Sequence, residues 1–351
     1  MLAKNNRVII IIAEELEQLI KEIFTITYND FPTNVQVQLT NCCDSKCVFC
    51  ANSYIEQKRS IMEKSLWIHI LTELKSEGFW GHINPTFCGE SLLIPNIADY
   101  LRAVRRELPK ATISFTTNGS KLEGHVAETI LKEGLIDSLG ISFNGGTKES
   151  YEKIHKGLSF DHVVNNINEF HRIRETSGLR KPELYISFVV TPDNGNTLHN
   201  IKNLFRLADR VEMRPVENWG GKYPMEVSNS KNPIRTANFC IPFEDEATIL
   251  VNGNMVLCCH DYQGREVLGN VEKVSIRQVW NGERKQVVRA ALSKRQFDQL
   301  PLCRHCSLLA HNTIVQILAK AARMLDRVSG SKNISWHARI IYHRLIISLK
   351  R

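Results

Sequence analysis

The sequence predicts an α/β protein with a parallel sheet, a smaller cysteine-rich region after it, and a basic helical tail. Three observations carry this. Six short apolar segments alternate with helical segments between residues 35 and 214. The cysteines fall into an early set (Cys43, Cys47, Cys50) and a late set (Cys240, Cys258, Cys303, Cys306). Residues 307–351 hold eight Lys/Arg against the single acid Asp326, so +7 of the net +8 belongs to the C-terminal stretch.

The elements follow in order. Val35 to Leu39 alternates and predicts a strand, and a cysteine loop follows it. The spacing predicts a helix over 63–77, stopped by Gly78, then a strand from Ile83 to Phe87 and a helix from Pro95 to Glu107. Thr112 to Thr116 is a strand, Asn118-Gly119 a turn, and 122–133 a helix ended by Gly134. Ile136 to Phe143 is a strand, with helices over 147–155 and 160–175. Leu184 to Val190 is the fifth strand, 196–208 a helix, and Arg210 to Arg214 the sixth strand. Strands separated by helices imply βαβ units, hence either a six-unit partial barrel or an open doubly wound sheet. In both, reactive residues belong at the C-terminal ends of the strands. Residues 217–238 predict an irregular connection. Ala247 to Val251, Asn252-Gly253-Asn254 and Met255 to Cys258 predict a hairpin, and 275–291 a helix.

The 351 residues suffice for a large domain and a smaller one, and 43% apolar with 23% charged residues excludes disorder as the main state. No apolar run approaches the ~20 residues of a spanning helix. Val8 to Ala13 is too short for a signal peptide, so a cytoplasmic protein is expected. In a reducing compartment ten cysteines point to metal or redox chemistry rather than disulfides.

Cys43-Asp-Ser-Lys-Cys47-Val-Phe-Cys50 puts three thiolates within eight residues, directly after a strand. A structural zinc site needs a fourth ligand, and none lies nearby in sequence. A [4Fe–4S] cluster takes four thiolates, so three leave one iron open. This Cys-x3-Cys-x2-Cys loop, with Phe49 before its last cysteine, resembles that of the radical S-adenosylmethionine (SAM) enzymes. The resemblance implies that SAM chelates the open iron and is cleaved to a 5′-deoxyadenosyl radical, which abstracts a substrate hydrogen. It also implies a partial, TIM-like (βα)6 barrel. Thr86-Phe-Cys-Gly-Glu90 resembles the family's Gly-Gly-Glu motif, which makes Glu90 the contact to the methionine amino group and Gly89 a site of close backbone approach. Cys88 departs from the motif. Asn118, within Thr117-Asn118-Gly119, matches the motif after the third strand. Ser142, within Ile141 to Gly145, matches a SAM-contacting serine. His155 stands where relatives carry an Arg for the SAM carboxylate, and Lys156 follows it. Val190 matches an adenine-side contact.

The Gly253-x4-Cys258 hairpin and Cys303-Arg-His-Cys306 resemble the auxiliary-cluster domains called SPASM and, in shortened form, twitch. The resemblance implies that Cys240, Cys258, Cys303 and Cys306 ligate a second [4Fe–4S] cluster. Its spacing is most similar to the twitch form of a cyclitol dehydrogenase of the superfamily. A four-thiolate zinc ribbon fits the same ligand types. Cys42 reads as a buried apolar residue, and His260 and His305 flank ligands without being ligands. Cys88 and Cys259 are spare thiols and the candidate catalytic hydrogen-atom donors. Arg214, Glu217, Asn218 and Trp219 leave the sixth strand where a polar substrate would be oriented.

The expected organisation is an N-terminal helical extension (1–30), a barrel (31–216), an auxiliary cluster domain (217–310) and a basic amphipathic tail (311–351). The tail either packs on the body or meets an anionic membrane at the inner face; nucleic acid is the weakest partner. The expected reaction is oxidation of a hydroxyl- or amine-bearing carbon of a sugar, cyclitol or peptide, with a flavodoxin or ferredoxin as electron donor. Radical epimerisation, peptide maturation and an iron–sulfur electron carrier are the alternatives.

Overall fold

A computed structural model describes residues 29–191, 193–206, 208–221 and 240–306. The expected N-terminal extension (up to residue 28), the connection over 222–239 and the basic tail lie outside the described residues.

Six parallel strands run through the first half of the chain. They are β1 (Asn34–Val37), β3 (His82–Asn84), β4 (Thr112–Thr117), β5 (Ser138–Ser142), β7 (Glu183–Val190) and β8 (Arg210–Pro215). The short β2 (Lys46–Cys47) and β6 (His155–Lys156) pair with each other outside the sheet. The six strands stand side by side in chain order, β1-β3-β4-β5-β7-β8, all parallel. A doubly wound sheet would reverse its order at a switch point. Unreversed order means that the connections wind in one direction, which decides for the partial barrel.

The connecting helices are α1 (Lys64–Ser76), α2 (Ile97–Glu107), α3 (Gly124–Lys132), α4 (Lys148–Ile154), α5 (Phe160–Thr176) and α6 (Leu198–Leu204). Two of their starts are chemically marked. Thr147 and Ser150 form a capping box at α4, and Ser159 caps α5. Pro85 cannot donate to a ladder, which explains why β3 ends at Asn84 rather than at the expected Phe87. The core between sheet and helices is apolar and close-packed, with Trp67, Phe115, Phe143, Phe170 and Phe188 fully buried.

After α7 (Ile241–Asp245), the expected hairpin forms from β9 (Glu246–Ile249) and β10 (Asn254–Val256), and β11 (Val267–Asn270) pairs beyond it. Gly253 turns the hairpin at φ +81°, a left-handed conformation that favours glycine. The hairpin does not stand apart from the barrel. Strand β9 lies parallel against the free edge of β1, so the sheet runs on across the expected boundary at 216/217. The helix expected over 275–291 is two helices, α8 (Ile276–Trp280) and α9 (Glu283–Ser293). Asn281-Gly282 breaks them, and a Ser275/Gln278 capping box starts the first. Among the described residues, no helix is long and apolar enough to cross a membrane.

Candidate active site and cysteine centres

All the marked residues of the barrel gather at the C-terminal ends of its strands. The chain leaves β1 and makes the cysteine loop. Gln38 fixes the loop's base from inside the sheet: its Nε2 donates to the Cys88 carbonyl at 3.0 Å, and its Oε1 accepts from Val251 N at 3.3 Å. Asn52 Nδ2 donates to the Asn41 and Cys88 carbonyls, each at 3.0 Å. Arg59 in turn donates to the Asn41 carbonyl and to the side chain and carbonyl of Asn52. The loop is thus held by side chains that the sequence reading did not mark.

The segment after β3 presses against this loop. A Cβ on Gly89 would lie 2.0 Å from the Thr40 carbonyl oxygen, so the close approach Gly89 permits is to the chain's own backbone. Glu90 N donates to the Cys42 carbonyl at 2.7 Å. The Glu90 carboxylate is fully buried and accepts from Leu92 N (3.0 Å), Thr117 Oγ1 (2.8 Å) and Asn118 N (2.7 Å). Burial outweighs these donors and pushes its pKa up to about 7. Asn118 Nδ2 donates to Asp44 at 2.8 Å and sits 4.0 Å from Cys43 Sγ, while Ser120 Oγ donates to Asp44 at 2.6 Å. Glu90 and Asn118 therefore tie the ends of β3 and β4 to the cysteine loop. Ser142 ends β5, and Val190, 36% exposed, ends β7.

Burial pushes the thiols of Cys43 and Cys47 up to about 12 and raises that of Cys50, and the proximity of the others adds to the shift for Cys43 and Cys47. Thiols held neutral by burial ionise only when a cation takes up their charge, which is the chemistry of a metal or cluster ligand set. Cys42 is partly exposed rather than buried as expected, its thiol turned to the Ser60 carbonyl at 3.9 Å.

His155 corrects the sequence reading. The pairing of β2 with β6 sets Cys47 opposite His155. The imidazole is buried, with Nδ1 3.2 Å from Cys47 Sγ and Nε2 accepting from Asn144 N at 3.2 Å. Burial lowers its pKa to about 3, so the ring is neutral. Both nitrogens are thus engaged within the chain rather than turned toward an open carboxylate position. Its Nε2 faces a backbone donor, which puts the hydrogen on Nδ1 and aims it at Cys47 sulfur.

The late cysteines also come together. Cys258, Cys303 and Cys306 share one buried apolar cluster with Phe243 and Leu302, and Cys240 packs against it. Burial and then the charges of Cys240, Cys303 and Cys306 raise the Cys258 thiol. The Cys303–Cys306 turn closes with Cys306 N donating to the Cys303 carbonyl at 3.1 Å. Among the described residues, no three His, Cys, Asp or Glu side chains converge tightly enough for a single metal ion. A four-iron cluster spreads its thiolates over different irons, and each set supplies donors of the type such a cluster takes.

The expected substrate-orienting loop is occupied differently. Glu217 Oε2 accepts from His260 Nε2 at 2.8 Å, Asn218 Nδ2 donates to the His305 carbonyl at 2.6 Å, and Trp219 Nε1 donates to the Phe49 carbonyl at 3.2 Å. Glu217 and Asn218 reach the late set and Trp219 reaches the first loop, because His260 and the Cys303–Cys306 turn fold back onto the exit of β8. Arg214 pairs with Glu212 at 3.0 Å. Of the spare thiols, Cys88 is buried with Ala51, Ile55 and Tyr262, and its charged-form neighbours are Cys50 and Cys43. Those of Cys259 are Glu246, Cys258, Glu217 and Cys240, so it belongs to the late set.

Residues 37–205 match the Radical SAM superfamily, and residues 240–307 match SPASM, an iron-sulfur cluster-binding domain. The S-adenosyl-L-methionine-dependent 2-deoxy-scyllo-inosamine dehydrogenase of Niallia circulans is 21% identical over 280 residues, 80% of this chain and 94% of that protein. The crystal structure of BtrN in complex with AdoMet and 2-DOIA superposes with a TM-score of 0.55 at 19% identity, covering 80% of this chain and 94% of that one. Streptococcus suis SuiB bound to the precursor peptide SuiA superposes with a TM-score of 0.62 at 16% identity, covering 81% and 71%. At these identities the superpositions establish the shared fold.

Proposed function

The chain belongs to the radical SAM superfamily and carries a SPASM iron–sulfur domain, and on that premise we propose that it is a dehydrogenase of a hydroxyl- or amine-bearing carbon. Its cofactors are [4Fe–4S] clusters and SAM, which together supply a radical that removes one hydrogen atom from substrate. In this reading Cys43, Cys47 and Cys50 hold the SAM-binding cluster, and Cys240, Cys258, Cys303 and Cys306 hold the auxiliary one. Phe49, Gly89, Glu90, Asn118, Ser142 and Val190 shape the SAM site. A reduced flavodoxin or ferredoxin supplies the electron for SAM cleavage.

The observation that carries the proposal is the bridge between the two cysteine sets. Oxidation of an alcohol carbon removes one hydrogen atom, one proton and one further electron. That electron needs an acceptor near the substrate. Trp219 links the Phe49 carbonyl in the first loop to the His260 ring beside Cys306, with ring centroids 5.6 Å apart. This contact chain from the first loop to the second cysteine set supports an internal electron acceptor. The dehydrogenase named above, similar over most of both chains, supports the same reaction class.

Cys88 favours one second reading. A neutral thiol beside the first set is a hydrogen-atom donor, which an epimerase needs. Anaerobic reaction with aminocyclitols, sugars and peptides in heavy water separates the two. Oxidation predicts a product two mass units lighter, no solvent deuterium at the reacting carbon, and turnover retained in Cys88→Ala and Cys259→Ala. One deuterium at that carbon, with turnover lost in Cys88→Ala, makes the enzyme an epimerase.

Glu90 provides a test of the SAM site itself. Its carboxylate accepts the N–H bonds of the methionine amino group best when ionised, and burial raises its pKa to about 7. SAM affinity is therefore expected to fall as the pH drops below 7, by about tenfold per unit, and to level off above it. Glu90→Gln is expected to weaken SAM binding by about 1.5–3 kcal/mol at pH 8 and to abolish the pH dependence. A wild-type affinity in the variant by calorimetry assigns Glu90 to the fold alone.

A further inference from the structure

Tyr151 carries a hydroxyl that the fold itself does not satisfy. The residue lies on α4, one turn before His155, so the two rings share a helix face and stack, with centroids 4.5 Å apart and planes at 23°. Phe143 packs on the same ring at 4.4 Å and Phe160 at 5.7 Å. The side chain is fully buried, and its Oη has no hydrogen-bond partner among the described residues. Phenylalanine would fill this aromatic pocket without burying a polar atom. A buried hydroxyl calls for an acceptor, and the surroundings of the ring narrow the choice. The stacked His155 brings its Nδ1 to 3.2 Å from Cys47 Sγ. Burial raises the Tyr151 pKa, and the charges of Cys47 and then Asp44 add to the shift, which places both groups near the hydroxyl. The Asp44 carboxylate is already engaged, by Asn118 Nδ2 at 2.8 Å and by Ser120 Oγ at 2.6 Å. The first cysteine set is the acceptor that remains.

We propose that the Tyr151 hydroxyl donates a hydrogen bond to sulfur of the cluster held by Cys43, Cys47 and Cys50, and that this bond raises the reduction potential of that cluster. The inference rests on the reading of these three cysteines as the ligands of the SAM-binding cluster. A phenol is a donor at neutral pH, and thiolate and sulfide sulfur accept. A hydrogen bond to cluster sulfur draws negative charge from the cluster and favours its reduced form. The donor is held in place before any cluster arrives. His155, Phe143 and Phe160 fix the ring, and the Thr147/Ser150 capping box fixes the start of its short helix. A raised potential eases transfer of the electron from flavodoxin or ferredoxin to the first cysteine set.

The test is an EPR-monitored redox titration of the reconstituted full chain without SAM. The spectrum of the variant with Cys43, Cys47 and Cys50 replaced by Ala is subtracted at each potential, which leaves the signal of the first cluster. Tyr151→Phe keeps the ring and removes only the hydroxyl. It is expected to lower the reduced-to-oxidised ratio of the first cluster at a given potential about fivefold, or ~40 mV at ~59 mV per tenfold for one electron. Fluorination of the ring at position 151 alone, as 3-fluorotyrosine, makes the hydroxyl a stronger donor and is expected to move the midpoint the opposite way. A Tyr151→Phe midpoint at or above that of the wild type, with about eight irons retained, overturns the proposal and leaves the SAM-binding reading standing. Where Tyr151→Phe loses the irons of the first set, the fluorinated protein decides. A midpoint at or below the wild-type value then overturns the proposal, and a higher one upholds it. A wild-type chain with no first-cluster signal after subtraction instead refutes the cluster assignment, and the proposed function with it.

Discussion

Replacing Cys43, Cys47 and Cys50 together by alanine is expected to abolish SAM cleavage and to reduce the iron content from about eight to about four per chain. The expectation follows from how the two cysteine sets are built. The first set lies on a loop after β1, fastened by Gln38, Asn52 and Arg59 to the neighbouring backbone. None of these fastenings uses a thiol, so the loop keeps its anchors when the thiols are removed. The second set sits in a separate apolar cluster with Phe243, Val288 and Leu292, packed by α7 and α9. It gains its ligands from residues 240–306 alone, so its four irons remain. Anaerobic reconstitution followed by iron analysis and chromatography of SAM products checks both halves. Two irons or fewer per variant chain would show that the late cysteines hold no four-iron cluster. Residual SAM cleavage would show that the first set does not bind the cofactor.

The parts of this molecule that were legible in the sequence are those encoded locally. Strand periodicity, the glycine stops at Gly78 and Gly134, and the cysteine spacings each lie within a few residues, and the structure bears out the strands they predict. The choice of barrel over doubly wound sheet was not local, because it depends on strand order rather than on any one strand. The same holds for the pairing of β9 with β1, which joins residues more than two hundred positions apart. His155 shows the difference most sharply. Its place in a family motif suggested a cation for a carboxylate, but a two-residue pairing between β2 and β6 buries it against Cys47. No periodicity announces a pairing that short. Glu217, Asn218 and Trp219 were visible as polar and aromatic residues at a strand exit. Their partners, His260, His305 and Phe49, are distant in sequence, so only the folded chain assigns them.

Gly89→Ala is expected to destabilise the fold by about 3 kcal/mol, the upper end of the usual cost of overpacking, and to empty the first cysteine set of iron. A Cβ at this position would lie 2.0 Å from the Thr40 carbonyl oxygen, 2.9 Å from its carbon and 3.2 Å from Asn41 Cα. All three atoms are backbone, so no side chain can rotate aside. The chain on both sides of Gly89 is also pinned. The Cys88 carbonyl accepts from Gln38 and Asn52, and Glu90 N donates to the Cys42 carbonyl at 2.7 Å. The added methyl must therefore push Thr40 and Asn41 away, and these residues lead directly into Cys43. Displacing them moves the three thiols and breaks the hold of Glu90 on the loop in one step. Cys88→Ala, one residue earlier, removes a sulfur from an apolar pocket without touching any of these backbone bonds, and is expected to retain both clusters. Thermal denaturation and iron analysis of the two variants side by side decide the matter. Gly89→Ala is expected to melt lower and retain about four irons, those of the late set. A Gly89→Ala protein with the wild-type melting temperature and about eight irons would mean that the cysteine loop and the segment after β3 are not in backbone contact.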